Sequence, residues 1–189
     1  MTADYSVIEG RLDGPSAPYS HTRLKTRTGF EFYVRSACPA DAEDLGELLA
    51  NISDEDRRFR FLTAVRNIPP QTLSRMTAVD HENTEDFFAF HDGMMIATAM
   101  IATATKGLDA DRSRAEVAIA IHNKFRGKGI GWVMLEHAVA WAKAKGIAVV
   151  ESIESYDNHD AIQLQREMGF SSRPYPGDAS LVVIEKQLG

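Results

Sequence analysis

Lys124-Phe125-Arg126-Gly127-Lys128-Gly129-Ile130-Gly131 is the stretch of the chain that decides the fold. Its glycines allow the backbone to approach a ligand closely. The apolar alternation before it predicts a strand over residues 115–121, and the amphipathic pattern after it predicts a helix over residues 131–145. A glycine-rich turn between a strand and a helix is typical of an anion site, because backbone N–H groups and the helix dipole face the ligand there.

Two common phosphate-binding patterns do not fit this loop. A dinucleotide-binding fingerprint that begins at Gly127 needs glycine at position 132, where the chain has Trp132. A P-loop needs serine or threonine after its Gly-Lys pair, where Gly129 stands. The cations of the loop nevertheless favour a phosphorylated ligand.

The chain has 189 residues, with 21 Lys+Arg against 27 Asp+Glu and a formal net charge of −6. This length predicts a single domain, over residues 23–189, after a flexible Gly-, Pro- and Ser-rich extension over residues 1–22. The acidic balance argues against nucleic acid as a partner, because binding to phosphates without sequence preference needs a basic surface. The glycine-rich loop, with Lys124, Arg126 and Lys128, is a locally basic segment in this acidic chain.

Cysteine and hydropathy patterns indicate the compartment. Cys38 is the only cysteine, so no intramolecular disulfide can form, and a reducing, cytoplasmic location is expected. No segment reaches the roughly 20 apolar residues of a membrane span, so no membrane partner is expected. The six histidines show no metal-ligand spacing, and we expect no metal.

Periodicity predicts helices early in the chain, then an antiparallel meander, then alternating strands and helices. The fold class is therefore mixed α/β, or α+β, with helices covering the sheet. Asp92-Gly93 predicts a tight hairpin, and Ser53 predicts the capped start of a helix that contains Arg57 to Phe61. Further strands are predicted over residues 30–34, 87–90, 94–104, 149–153 and 181–184, and a further helix over residues 159–168.

The motif Arg126-x-x-Gly129-x-Gly131 resembles the pyrophosphate-binding signature of the GNAT superfamily of N-acetyltransferases. Its context agrees, with Glu116 at the start of the preceding strand and Asn158 at the start of the following helix. The resemblance implies the GNAT fold: a mostly antiparallel central sheet of six to seven strands, flanked by helices. It also implies acetyl-CoA as co-substrate, in a cleft where the fourth and fifth strands splay.

The same resemblance implies a set of cofactor-binding residues. The backbone of one strand would pair with the pantetheine arm, the loop would hold the pyrophosphate, and an asparagine would contact the cofactor. These residues are, in that order, Ile119, Ala120 and Ile121; Arg126, Gly127, Lys128, Gly129, Ile130 and Gly131; and Asn158.

A narrower resemblance lies upstream. The segments Ser53-x-Glu55-x-x-x-x-Arg60-Phe61-Leu62 and Met76-Thr77-Ala78-Val79-Asp80-His81 are similar to the acetyltransferase domain of bacterial protein lysine acetyltransferases, which acetylate acyl-CoA synthetases. In that group a glutamate at the start of the fourth strand acts as general base, and Glu116 matches it. Many superfamily members have a tyrosine as general acid seven residues after the asparagine, where this chain has Gln165.

The resemblance therefore implies direct acetyl transfer from acetyl-CoA to a protein lysine ε-amine, with a lysine of an acyl-CoA synthetase as one acceptor. Two alternatives stay open. One is a small-molecule amine as acceptor, and the other is a non-catalytic acyl-CoA-binding sensor.

Overall fold

The computed structural model describes residues 6–7, 21–53, 57, 68–103 and 113–189. The strands are β1 (Ser6–Val7), β2 (Thr22–Lys25), β3 (Glu31–Ser36), β4 (Thr84–His91), β5 (Met94–Thr103), β6 (Arg114–Ile121), β7 (Val149–Ser155), β8 (Ser171–Pro174) and β9 (Leu181–Gln187). The helices are α1 (Ala42–Ala50), α2 (Pro70–Thr77), α3 (Ile130–Ala144) and α4 (His159–Glu167), with single 3₁₀ turns at Pro39–Asp41 and Asn123–Phe125.

The strands form one sheet in the order β1-β2-β3-β4-β5-β6-β7-β9-β8. Every neighbouring pair is antiparallel except β6 and β7, which are parallel. The predicted mixed class and mostly antiparallel sheet are confirmed. The predicted count of six to seven strands is wrong, since the described sheet has nine. β1 has two residues and β8 is exposed at every position, so neither has an apolar alternation that the sequence could reveal.

Helices cover both faces of the sheet. Consecutive side chains of β4 point to opposite faces of the sheet. Phe87 packs in the core beneath α3, whereas Phe88 packs against α1. The side chains of Met134 and Leu48 are almost fully buried in these two clusters. The sheet is therefore enclosed between α3 and α4 on one side and α1 and α2 on the other.

The predicted hairpin between β4 and β5 is confirmed. Asp92 has φ 48° and Gly93 has φ 77°, the left-handed conformation that such a two-residue turn requires. The sequence could predict this turn because Asp-Gly tolerates positive φ at low cost.

Two sequence predictions fall mainly outside the described residues. Of the extension over residues 1–22, only Ser6 and Val7 are described before residue 21, and they pair with Arg23 and Thr22. Of the helix predicted after Ser53, only Arg57 is described, and it is helical. Among the described helices, none is both long enough and apolar enough to cross a membrane.

A buried ion pair joins β3 to the 3₁₀ turn before α1. Arg35 donates to both oxygens of Asp41 at 2.7 and 2.6 Å, and the backbone N–H of Cys38 donates to Oδ2 at 2.8 Å. The two charged side chains are only 7% and 3% exposed. Burial raises the pKa of the neighbouring Cys38 thiol, so this cysteine is a packing residue and not a reactive one.

Candidate active site

The site begins where the parallel strands β6 and β7 separate. Their pairing covers Arg114, Ala115 and Glu116 against Val149, Val150 and Glu151, and no pairing of β6 with β7 continues beyond Glu116. The other edge of β6 stays paired with β5 as far as Ile121. The edge of β6 from Val117 to Ile121 is therefore available along a wedge that opens toward the glycine-rich loop.

This wedge is a cavity of about 430 Å³. Ten of the eleven residues that the sequence resemblance assigned to the site line it, and they come from β6, the loop, the start of α3 and the residue before α4. They are Glu116, Ile119, Ala120, Ile121, Arg126, Gly127, Gly129, Ile130, Gly131 and Asn158.

The loop takes a shape that its glycines allow. Gly127 has φ 72° and Gly129 has φ 82°, values that other residues adopt only with strain. Gly129 is also the N-cap of α3, so the first N–H groups of this helix have no intrahelical acceptor and lie at the cavity. The loop and the helix start together form a cradle of backbone N–H groups with the geometry that suits an anion.

Gly131 favours a close approach of a different kind, since it lies inside α3 at an ordinary φ and its lack of a side chain lets Ile121 and Leu164 pack against the helix. A Cβ at this position would lie 3.2 Å from Cδ1 of Ile121 and 3.4 Å from Cδ1 of Leu164. Any side chain would therefore push into the contact between β6 and α4, next to the cavity.

His122 shapes the entry to the loop. Its Nδ1 accepts the backbone N–H of Lys124 at 3.1 Å, which requires an unprotonated nitrogen. Burial, with a smaller effect of the Lys124 charge, lowers the pKa of His122 below its usual value. The imidazole is therefore neutral near pH 7 and can hold the turn.

The structure places Lys128 apart from the other predicted site residues. It is not among the cavity-lining residues, and its ammonium lies 5.2 Å from the centre of the Phe30 ring. Its carbonyl accepts a hydrogen bond from the Thr28 hydroxyl at 3.0 Å. The turn between β2 and β3 is thus attached to the back of the loop, and the Arg27 guanidinium lies 3.9 Å over Trp132 of α3.

We expect the Thr28→Val variant to raise the KM for acetyl-CoA, the co-substrate that the sequence resemblance implies, a few-fold. The variant removes the hydrogen bond from the Thr28 hydroxyl to the loop, worth about 1 kcal/mol, together with its hydrogen bond to the Thr26 hydroxyl. Steady-state kinetics would measure this change. Thr28→Ser keeps the hydroxyl and is the matched control. Equal KM values for the two variants would show that this bond does not support the loop.

The opposite wall of the cavity, from β7 and α4, carries a network of polar side chains. Glu154 accepts from Asn158 Nδ2 at 2.8 Å and from Gln165 Nε2 at 3.2 Å, and Gln165 Oε1 accepts from the Ser152 hydroxyl at 2.8 Å. We call these four residues the Glu154 network. Sequence reasoning missed Ser152 and Glu154 as site residues, and it treated Gln165 only as the replacement of a tyrosine.

Glu116 stands at the narrow end of the wedge. It is the last residue of β6 that pairs with β7, and its exposed side chain lines the cavity. Just before it, Arg114 forms ion pairs with Glu151 and with Glu185, the latter at 2.7 Å. The hydrogen bond from Arg114 lowers the pKa of Glu185. Arg114 thus ties β6 to β7 and β9 at the end where the strands remain joined.

The arrangement suits a long anionic ligand that delivers a reactive group toward a carboxylate. Its phosphates would meet the cradle, its body would lie along β6, and its reactive end would reach Glu116. Within the described residues, no cluster of three or more His, Cys, Asp or Glu side chains is placed to hold a metal ion.

The model of the acetyltransferase (GNAT) family matches residues 46–170. The chain belongs to the GNAT acetyltransferase family. The matched region runs from α1 to the end of α4 and includes the whole cavity. The predicted GNAT fold is confirmed, with the splayed strands at β6 and β7.

Relatives of this GNAT chain agree with the assignment. A curated acetyltransferase of Pseudomonas aeruginosa is 23% identical over 157 residues, which are 82% of this chain and 83% of that protein. The GNAT domain of S. lividans PAT has a similar structure, with a TM-score of 0.80, 24% identity, and coverage of 88% of this chain and 96% of that domain. A phosphinothricin acetyltransferase from Sinorhizobium meliloti, solved in complex with acetyl-CoA, gives a TM-score of 0.66 and 20% identity over 84% and 89% of the two chains.

Proposed function

We propose that this protein is an acetyl-CoA-dependent N-acetyltransferase that acetylates the ε-amine of a protein lysine. The observation that carries the proposal is the wedge between β6 and β7, with an anion-binding cradle at its open end and the Glu116 carboxylate at its closed end. Family membership supports the acetyl transfer, and the geometry supports the roles given to individual residues.

The residues present fit acetyl-CoA. The positive-φ glycines and the first turn of α3 offer N–H donors for the pyrophosphate, and Arg126 at the cavity supplies positive charge. Ile119, Ala120 and Ile121 offer the edge of β6 that β7 leaves, which suits the amide groups of a pantetheine arm. Lys128 contributes its backbone, because its side chain packs toward Phe30.

The acceptor amine must lose a proton before it attacks. A lysine ammonium has a pKa of about 10.4, so almost all of it is protonated near pH 7. Glu116 takes this proton, directly or through a water molecule. A backbone N–H of β6 near Ile119 stabilises the charge that develops on the thioester oxygen. The leaving thiol resembles cysteine, with a pKa of about 8.5, so it departs without a strong acid and glutamine at position 165 is tolerated.

The choice of a protein lysine is supported by two observations. The segments 53–62 and 76–81 resemble protein lysine acetyltransferases, and the fold of the S. lividans PAT domain is similar over nearly its whole length. A small amine is the second candidate, because the Sinorhizobium meliloti phosphinothricin acetyltransferase also shares the fold.

A thiol-release assay with acetyl-CoA would test the proposal. Purified acyl-CoA synthetases form one set of acceptors, and a panel of polyamines, amino acids and aminoglycosides forms the other. We expect faster turnover with the protein acceptors, and mass spectrometry should then locate the acetyl group on a lysine. Faster turnover of a small amine would select the second candidate, and acetyl-CoA binding without turnover of any amine would contradict catalysis.

A further inference from the structure

We infer that Glu154 is a positioning residue that orients the Asn158 amide to accept a hydrogen bond from the pantetheine arm of acetyl-CoA. The inference rests on the proposed function, because it takes acetyl-CoA as the ligand of the cavity. It assigns a role to Glu154, which lines the cavity opposite β6.

The chemistry of a carboxylate determines how the two amides around it must lie. Each Glu154 oxygen accepts one hydrogen bond, Oε2 from the Asn158 nitrogen and Oε1 from the Gln165 nitrogen, so both amides turn their nitrogen toward Glu154. The Asn158 oxygen is then the atom of this amide that a ligand in the cleft can meet. A pantetheine arm carries amide N–H groups, and an acceptor at this place suits them.

The start of α4 provides a second observation. Asn158 occupies the N-cap position, where an asparagine side chain usually accepts a backbone N–H of the first turn. Here the side chain makes no cap hydrogen bond and donates to Glu154 instead. Asn158 therefore gives up its usual structural role, and its side chain is held at the wall of the cavity.

The rest of the Glu154 network keeps the carboxylate in place. Ser152 is 3% exposed and Gln165 is 5% exposed, and both ends of the Gln165 amide are hydrogen-bonded. A flipped Gln165 would lose its hydrogen bond to Glu154 and set two oxygens against each other, even though the Ser152 hydroxyl could turn to accept from the flipped nitrogen. The network therefore has one preferred arrangement.

The Glu154→Gln variant tests the inference with little change in volume. A glutamine can donate or accept, so it no longer forces the orientation of Asn158. We expect the Kd for acetyl-CoA to rise about five- to tenfold, the effect of one hydrogen bond, with kcat at saturation nearly unchanged. Glu167→Gln, on the exposed part of α4, is the matched control and should bind acetyl-CoA like the wild type.

A reversed pair separates orientation from packing. Asn158→Asp alone places two carboxylates together and should weaken binding. When Asn158→Asp is combined with Glu154→Gln, the glutamine nitrogen can donate to the aspartate, whose second oxygen faces the cleft. We expect the double variant to bind acetyl-CoA within about twofold of the wild type, because the two sites are in direct contact and their effects do not add.

Calorimetry with acetyl-CoA and thiol-release kinetics on the full chain, with a thermal melt of each variant, distinguish the outcomes. A wild type that does not bind acetyl-CoA overturns the proposed function itself. When the wild type binds, weaker binding by Glu154→Gln and recovery in the reversed pair support the inference. Unchanged binding by Glu154→Gln, a loss confined to kcat, or no recovery in a folded double variant would overturn it and leave the proposed function standing.

Discussion

The Glu116→Gln variant should lose about 10²- to 10⁴-fold in kcat and keep nearly the wild-type affinity for acetyl-CoA. The substitution nearly preserves the shape of the side chain but removes the base that accepts the ammonium proton. Glu116 lies at the closed end of the wedge, away from the loop proposed to hold the phosphates, so cofactor binding should not change. Thiol release at saturating acetyl-CoA, with calorimetry alongside it, measures both quantities.

The pH profile gives this prediction a second, independent readout. Without the base, the reaction depends on acceptor that is already deprotonated, so the rate of the variant should keep rising as the pH approaches the lysine pKa of about 10.4. The difference in rate between the variant and the wild type should therefore become smaller as the pH rises. Glu82→Gln, an exposed carboxylate outside the cavity, is the control. If the Glu116→Gln variant turned over at the wild-type rate, Glu116 would not be the general base.

The largest expected effect on stability is that of Asp41→Asn, which should lower the free energy of unfolding by about 3–5 kcal/mol. The substitution leaves the Arg35 guanidinium, 7% exposed, without its buried counter-charge. Urea unfolding followed by circular dichroism measures the loss. Replacing both Arg35 and Asp41 by apolar residues should lower the free energy of unfolding by less than Asp41→Asn does, because no unpaired charge then stays buried.

The pH dependence of this pair has a defined sign. Burial acts to raise the pKa of Asp41, but hydrogen bonds from Arg35 and from the Cys38 N–H outweigh it and hold that pKa below the usual value. A lowered folded pKa means that the pair stabilises the protein fully above the ordinary carboxyl pKa and loses this contribution as the pH falls through the folded value. The stability difference between wild type and Asp41→Asn should therefore shrink in acid, and a difference independent of pH would contradict the assignment.

Local patterns were sufficient for much of the site. Gly127 and Gly129 need positive φ, a strand leads into the loop, and a helix follows it, and all three features are encoded within about 30 consecutive residues, the span of one strand-helix unit. Glu116 and Asn158 were assigned to the site by the GNAT resemblance, which matches them by their places at the starts of a predicted strand and a predicted helix. By contrast, nothing in the sequence near position 128 indicates that its carbonyl is held by Thr28, 100 residues earlier.

The sequence by itself determined most of the elements and the strand-loop-helix unit, because backbone conformation and hydrophobic periodicity depend on near neighbours. The resemblance to the GNAT family added the mostly antiparallel sheet. Tertiary structure alone decided where β6 and β7 part, which side chains face the cavity, and that Glu154 holds Asn158 and Gln165. Tertiary structure also decided that the Lys128 side chain packs over the Phe30 ring and does not line the cavity. These features depend on strand register and on contacts between distant segments, which no local pattern of residue types encodes.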